Sequence, residues 1–220
     1  MDNWKMFASK LFMLLTPIVL LFAAIRLLLL PAFVNIEYNL PYFPADPYGL
    51  TKEQRLELAP IALDYLLNDE GIDFLGDLEF DGGAQVYNAR ELKHMEDVKN
   101  LTQSGLVFWM LMIVGFVLAA IWYWRSGDWA IFSSALSRGG LLTIWIILGL
   151  LVFILLSFDF IFVGFHRIFF EGDTWLFRND DTLIRLFPIK FWQDVFIYMG
   201  VITFLEGVLF WRVFKSSDKN

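Results

Sequence analysis

A chain of 220 residues is long enough to enclose a soluble core, yet 58% of its residues are apolar and its mean hydropathy is +0.57, which excludes an ordinary soluble domain. The formal charge of −7 brings no basic patch of the kind a nucleic-acid partner needs, and the absence of cysteine excludes disulfides and thiol nucleophiles. Runs of about 20 apolar residues cross the roughly 30 Å hydrocarbon layer as helices. Four such runs occur, at 11–34, 101–124, 139–163 and 191–214.

The sequence therefore predicts an all-α integral membrane protein with four transmembrane helices and a small, mostly helical extracytoplasmic cap. Residues 1–34 hold a cytoplasmic N-terminus and the first span, and 35–100 form the cap. The second span (101–124), a cytoplasmic loop (125–138) and the third span (139–163) follow. An extracytoplasmic loop (164–190) then leads to the fourth span and a cytoplasmic C-terminus (191–220). Orientation follows from the bases flanking the spans: Lys5 and Lys10, Arg125 and Arg138, then Arg212, Lys215 and Lys219 all fall on one side. The opening run is too long for a signal peptide, carries Arg26 and lacks a small-residue cleavage site, so it reads as a retained anchor.

In the first span Pro17 is tolerable, because neighbouring helices re-satisfy a freed carbonyl. Arg26 is the anomaly, about 10 Å inside the outer end at roughly 1.5 Å per residue. An intramembrane charge is expected to face a partner. Asp159, at comparable depth in the third span, is the natural one; Glu206 lies deeper toward the other side. Such a pair would be structural, or would position an ester or phosphate head group.

Three prolines between Pro41 and Pro47 forbid helix there. Thr51-Lys52-Glu53-Gln54 is a capping box, opening a helix to about Asn68 with a kink expected before Pro60 and a stripe of Leu56, Leu63, Leu66 and Leu67. A weak strand signal lies at 78–80. Asn88-Ala89-Arg90-Glu91 is a second capping box, and its helix is expected to run on into the second span.

That helix carries His94, one of only two histidines, with Glu91 and Asp97 on the same broad face. Either acid is placed to bond the imidazole and raise its pKa. The other histidine, His166, follows the third span, which is expected to end at Gly164. Phe162, Phe165, Phe169 and Phe170 surround it, a setting that keeps an imidazole neutral. A capped structural histidine and an interfacial anchor are the plain alternatives. No HExxH, no GxSxG and no internal repeat points to a zinc hydrolase, a serine hydrolase or a transporter. What remains is acid–base chemistry by two imidazoles on a lipid-borne substrate.

Four blocks then carry a family resemblance. They are Glu37-Tyr38-Asn39 leading to Phe43-Pro44-Ala45-Asp46-Pro47-Tyr48-Gly49; Thr51-Lys52-Glu53-Gln54-Arg55-Leu56; Arg90 to Lys99; and Phe165-His166-Arg167-Ile168-Phe169-Phe170 through Trp175 to Thr182-Leu183-Ile184-Arg185-Leu186-Phe187-Pro188. The chain resembles the bacterial lipoprotein intramolecular transacylase (Lit) family and related integral membrane proteins that share its pattern. The resemblance implies a plasma-membrane acyltransferase in which His94 and His166 are catalytic. It implies that the sn-2 acyl chain of a diacylglyceryl lipoprotein moves onto the N-terminal cysteine amine, giving a lyso-form lipoprotein. No cofactor, metal or nucleotide is needed for that exchange, and the partners are membrane lipid and the lipoprotein itself. His166 is expected to act as base and His94 as proton donor. Arg26, Tyr38, Glu91, Asp97, Asp159, Trp175 and Arg185 are the residues expected to bind or orient the substrate, with Tyr42, Phe43, Phe165, Phe169 and Phe187 as further aromatic walls. Two other readings stay open: a non-enzymatic lipid- or partner-binding membrane protein, and a lipid-ester hydrolase.

Overall fold

Four long helices dominate the computed structural model, which describes residues 3–215. They are α1 (Asn3–Leu28), α5 (Ala89–Arg125), α6 (Trp129–Phe169) and α8 (Ile189–Val213), each long and apolar enough to cross a membrane. Between them lie α2 (Pro31–Asn39), α3 (Lys52–Leu67), α4 (Asp73–Gly76) and α7 (Thr182–Leu186). Side chains such as Leu118, Leu155, Phe160 and Leu209 keep more than half of their surface open, as an all-helical protein dissolved in lipid requires. Helices α5 and α6, with 37 and 41 residues, far exceed the roughly 20 residues that the hydrocarbon takes up. Their ends at Ala89–Asn100 and 164–169 are therefore read as lying beyond the spans. Lys219, one of the bases used for orientation, lies outside the described residues.

The chain divides into two compact units. One comprises the chain up to Arg26, Leu106–Leu156 and the chain from Phe196; the other comprises Leu27–Gly105 and Ser157–Val195. Small residues set the packing of the first. A Cβ on Gly140 would stand 2.6 Å from the Gly207 carbonyl oxygen and the Trp211 nitrogen, so two backbones meet there directly. A Cβ on Gly139 would stand 2.5 Å from Thr16 Oγ1 and 2.9 Å from the Met13 carbonyl oxygen, the acceptor that Pro17 deprives of its helical donor. At one end Tyr123 stacks on Phe132 (5.1 Å between centroids), Phe12 meets Phe132 edge-on (5.3 Å), and Lys5 pairs with Asp128.

The second unit is the site's scaffold. The first capping box forms as expected: Thr51 Oγ1 accepts from the Gln54 amide (3.2 Å) and Gln54 Oε1 from the Thr51 amide (3.0 Å). Helix α3 runs unbroken through Pro60 and buries Leu58, Ala59, Ala62, Leu63, Tyr65 and Leu66. The second box also forms, with Asn88 Oδ1 accepting from the Glu91 amide (3.1 Å) and Glu91 Oε2 from the Asn88 amide (2.8 Å). In place of a strand, residues 78–80 contribute one isolated bridge, Glu79 to Gln85.

Three expectations need correcting. The first helix ends at Leu28, and Pro31 starts a separate helix, as suits a residue favoured at first helical positions. Helix α6 does not end at Gly164 but runs to Phe169, with a break in helical geometry only at Ser157. A single glycine costs a helix about 1 kcal/mol, too little to end one with apolar residues on both sides. The loop after α6 contains α7, five residues that sequence periodicity is too short to reveal.

Candidate active site

His94 occupies the second turn of α5 and His166 the last turn of α6. Their rings are nearly parallel, 20° between planes, with centroids 6.0 Å apart, and both residues are buried. Phe170 is shared between them, 4.9 Å from His94 and 5.5 Å from His166. Phe177 closes on His94 edge-on at 5.2 Å, while Phe162 (4.3 Å) and Trp175 (5.0 Å) flank His166. Two imidazoles thus share one cluster of aromatic rings.

Their hydrogen bonding differs. The Nδ1 of His166 lies 2.7 Å from the Phe162 carbonyl oxygen. A carbonyl only accepts, so the neutral ring carries its proton on Nδ1 and leaves the Nε2 lone pair free. The Nδ1 of His94 is buried without a partner. Burial is the main force on both rings and lowers both pKa values. For His94 burial comes first and the neighbouring His166 second, with Asp97 opposing weakly, and the value falls to about 4. For His166 the Phe162 carbonyl opposes the burial.

This corrects the expectation for His94, which the nearby acids do not charge. Glu91 is 1% exposed and fully committed: Oε2 to the Asn88 amide and Oε1 to the Leu183 amide at 2.7 Å. Asp97 pairs with Lys93 at 3.0 Å. Both acids share a helix face with His94, but backbone amides and a lysine claim them first.

The other expected site residues scatter. Tyr38 is buried and its hydroxyl donates to the Leu186 carbonyl. Arg185 donates to Asp46 Oδ2 through Nε (3.1 Å) and Nη2 (3.0 Å) and to the Tyr48 carbonyl. Both fasten α7 and do not touch the imidazoles. Phe187 belongs to the hydrophobic core with Phe191. Phe165 meets the His166 ring edge-on at 5.6 Å and is 38% exposed, while Phe169 is half exposed; Tyr42, also exposed, lies under Lys190 Nζ. Asp159 is exposed on α6. Arg26 belongs to the other compact unit, and its buried Nη1 has no hydrogen-bond partner among the described residues.

Sequence reasoning missed Phe177, which carries no periodic or motif signal, and Glu37. The latter is wholly buried beside the Asp194 carboxyl. Burial first, then the adjacent Asp194 carboxyl, push its pKa up to about 8, with the Lys190 ammonium opposing. A cavity of about 290 Å³ opens elsewhere in this unit, walled by Tyr38, Phe43, Asp46 and Arg55 among others and by neither histidine. Among the described residues no three metal-ligating side chains converge.

The family model for the lipoprotein intramolecular transacylase Lit matches residues 10–192. An uncharacterized protein of Aquifex aeolicus (strain VF5) is 31% identical over 202 residues, 91% of this chain and 90% of its own length. The in meso structure of the membrane-integral transacylase Lit from Bacillus cereus shares the fold, with a TM-score of 0.73 over 98% of this chain and 94% of that one at 18% identity. A variant of that protein with one histidine replaced by arginine superposes with a TM-score of 0.72 over 98% of this chain and 91% of that one, again at 18% identity. A family match spanning most of the chain, and a relative similar over nine-tenths of both sequences, fix its membership: the chain belongs to the lipoprotein intramolecular transacylase (Lit) family of membrane acyltransferases.

Proposed function

We propose that this protein moves the sn-2 acyl chain of a diacylglyceryl lipoprotein onto the α-amine of that lipoprotein's own N-terminal cysteine, leaving a lyso-form product. One observation carries the reading: two buried, neutral imidazoles stack within one aromatic cluster, one with a free basic nitrogen. Ester-to-amide exchange runs downhill without an energy source. Both reacting groups belong to one molecule, so the protein's task is to fold the substrate into attack geometry.

In the proposed step the neutral amine attacks the sn-2 ester carbonyl. His166 Nε2 takes the proton from the nitrogen as the C–N bond forms, then returns it to the glycerol oxygen as the C–O bond breaks. One proton moves from nitrogen to oxygen, and no water is consumed. His94, held neutral, donates a hydrogen bond from one ring nitrogen to the developing oxyanion; a neutral imidazole is an effective electrophile. Phe162, Phe170, Trp175 and Phe177 exclude the water that would hydrolyse the ester.

The histidines, with the segment 35–100, are assigned to the extracytoplasmic face of the bacterial plasma membrane and both termini to the cytoplasm, on the strength of the flanking bases. The test is mass spectrometry of the N-terminal peptide of a defined lipoprotein incubated with purified protein. N-acyl, O-monoacyl product with no free fatty acid is expected. Free fatty acid in place of the N-acyl product would make the protein a hydrolase, and unchanged substrate would make it a binder.

A further inference from the structure

The chain that carries Phe177 is tied to α5 by a buried carboxylate that the proposed chemistry leaves unused. Phe170 needs no such tie, because its amide donates to the His166 carbonyl at 2.9 Å, at the very end of α6. Phe177 lies further along, in the non-helical chain between α6 and α7. That chain ends at Asp181, immediately before α7, where an aspartate ordinarily caps the helix it precedes. The Asp181 side chain makes no such bond. Its Oδ1 instead accepts from Asn88 Nδ2 at 2.9 Å, and its Oδ2 from Arg90 Nη2 at 2.6 Å and the Arg178 amide at 2.7 Å. The side chain is 9% exposed, so the carboxylate is shielded from solvent. Helix α7 has its own fastenings at Glu91, Tyr38 and Arg185.

The three donors join two places. Asn88 and Arg90 open α5, and Arg90 lies one turn before His94 on the same helix face. Arg178 follows Phe177 directly, so its amide fixes the backbone from which that ring projects. Arg90 also reaches the ring itself: its guanidinium carbon lies 5.8 Å from the Phe177 centroid, within cation–π range. The ring in turn meets His94 edge-on at 5.2 Å. We infer that Asp181 and Arg90 are positioning residues that latch Phe177 onto His94 and so set whether the acyl group passes to the amine or to water. The inference rests on the transfer reading above. A loosened ring admits water to the ester. The water oxygen then bonds the sn-2 carbonyl carbon, one of its protons passes through His166 Nε2 to the glycerol oxygen, and the C–O bond breaks. The products are a free fatty acid and a lyso-lipoprotein whose amine is not acylated. Asp181→Asn keeps the shape of the side chain but loses the charge-assisted bonds, which are roughly twice as strong as neutral ones.

Product ratio and solvent access to His94, both measured on the full-length protein in nanodiscs, test this together. With a defined diacylglyceryl lipoprotein, the ratio of free fatty acid to N-acyl product should rise about tenfold over wild type in Asp181→Asn, Arg90→Met and Phe177→Ala, a shift of about 1.4 kcal/mol toward water. The double variant Asp181→Asn/Phe177→Ala should match Phe177→Ala alone, because the carboxylate acts through that ring. Arg90→Lys, which keeps a cation between Asp181 and Phe177, should lie closer to wild type than Arg90→Met. Lower turnover at an unchanged ratio would make the latch merely structural and overturns the inference, as does a double variant that releases more fatty acid than Phe177→Ala. Without substrate, modification of His94 by diethyl pyrocarbonate, read by peptide mass spectrometry, should quicken in Asp181→Asn and in Phe177→Ala alike. An unchanged rate in Asp181→Asn overturns the inference. If Asp181→Asn does not fold, Arg90→Met, whose side chain is 40% exposed, decides by the same two measurements. Failure of the wild type to N-acylate the substrate would sink the transfer reading but leave the difference in His94 modification standing.

Discussion

The bond from His166 Nδ1 to the Phe162 carbonyl fixes which nitrogen is free to accept a proton, and this gives the two histidines unequal sensitivity to substitution. His166→Gln removes the group proposed to take the amine proton, and a lost base costs about 10²–10⁴ in rate. His94→Gln keeps an N–H donor for the oxyanion, so its loss should be smaller. Lyso-lipoprotein yield at matched membrane expression ranks the two variants; the reverse order would exchange the roles, and wild-type yield from His166→Gln would remove it as base. Because burial already keeps both rings neutral at pH 7, the acidic limb of the rate profile should follow the substrate α-amine, near pH 7.7–8.0, with no separate break at 6.5. Glu37 supplies a test of opposite sign. With its folded pKa near 8 against 4.5 unfolded, it contributes stability that is full below pH 4.5 and lost as pH rises toward 8. Glu37→Gln should therefore gain in thermal stability over wild type between pH 5 and pH 9; parallel melting curves across that range would refute a buried protonated Glu37.

At the scale of elements, α7 shows what long-range side chains do. Five residues cannot sustain a helix alone, and α7 is held by Glu91 on the Leu183 amide, Tyr38 on the Leu186 carbonyl and Arg185 on Asp46. Glu91→Ala would strand two amides and should destabilise the protein by about 3 kcal/mol, taking 1–3 kcal/mol for each buried group. Thermal unfolding in detergent measures this, and a loss below about 1 kcal/mol would show that α7 does not depend on the clip. The same contacts mark where the sequence stops being readable. Both capping boxes, the four spans and the continuation of α5 into the membrane follow from local pattern, because their causes lie within a few residues. The second amide on Glu91 lies 92 residues away and the partner of Arg185 lies 139 away, so neither could be read locally, whereas Lys93, which claims Asp97, sits only four residues before it. The histidine pairing was legible from the matching positions of residues 94 and 166 beside the same ends of the second and third spans.

For the whole molecule, the open question is sidedness, and the chain's own composition provides the probe. It contains no cysteine, so a single introduced thiol reports its own position without interference. The bases Lys5, Lys10, Arg125, Arg138, Arg212 and Lys215 flank three segments that four crossings place on one face, and such bias sets orientation in short loops. Asp81, in the exposed turn of the segment 35–100, should then face outward, and Ser126, between α5 and α6, should face the cytoplasm. Asp81→Cys should react with a membrane-impermeant maleimide in intact cells. Ser126→Cys should react only after permeabilisation. The consequence for chemistry is direct, because the proposed transfer is assigned to the extracytoplasmic face, and His94 belongs to the same unit as Asp81. Labelling of Ser126→Cys in intact cells, with Asp81→Cys protected, would invert the topology. It would put both imidazoles on the wrong side of the membrane for the proposed substrate, and the transfer reading would fall with the orientation.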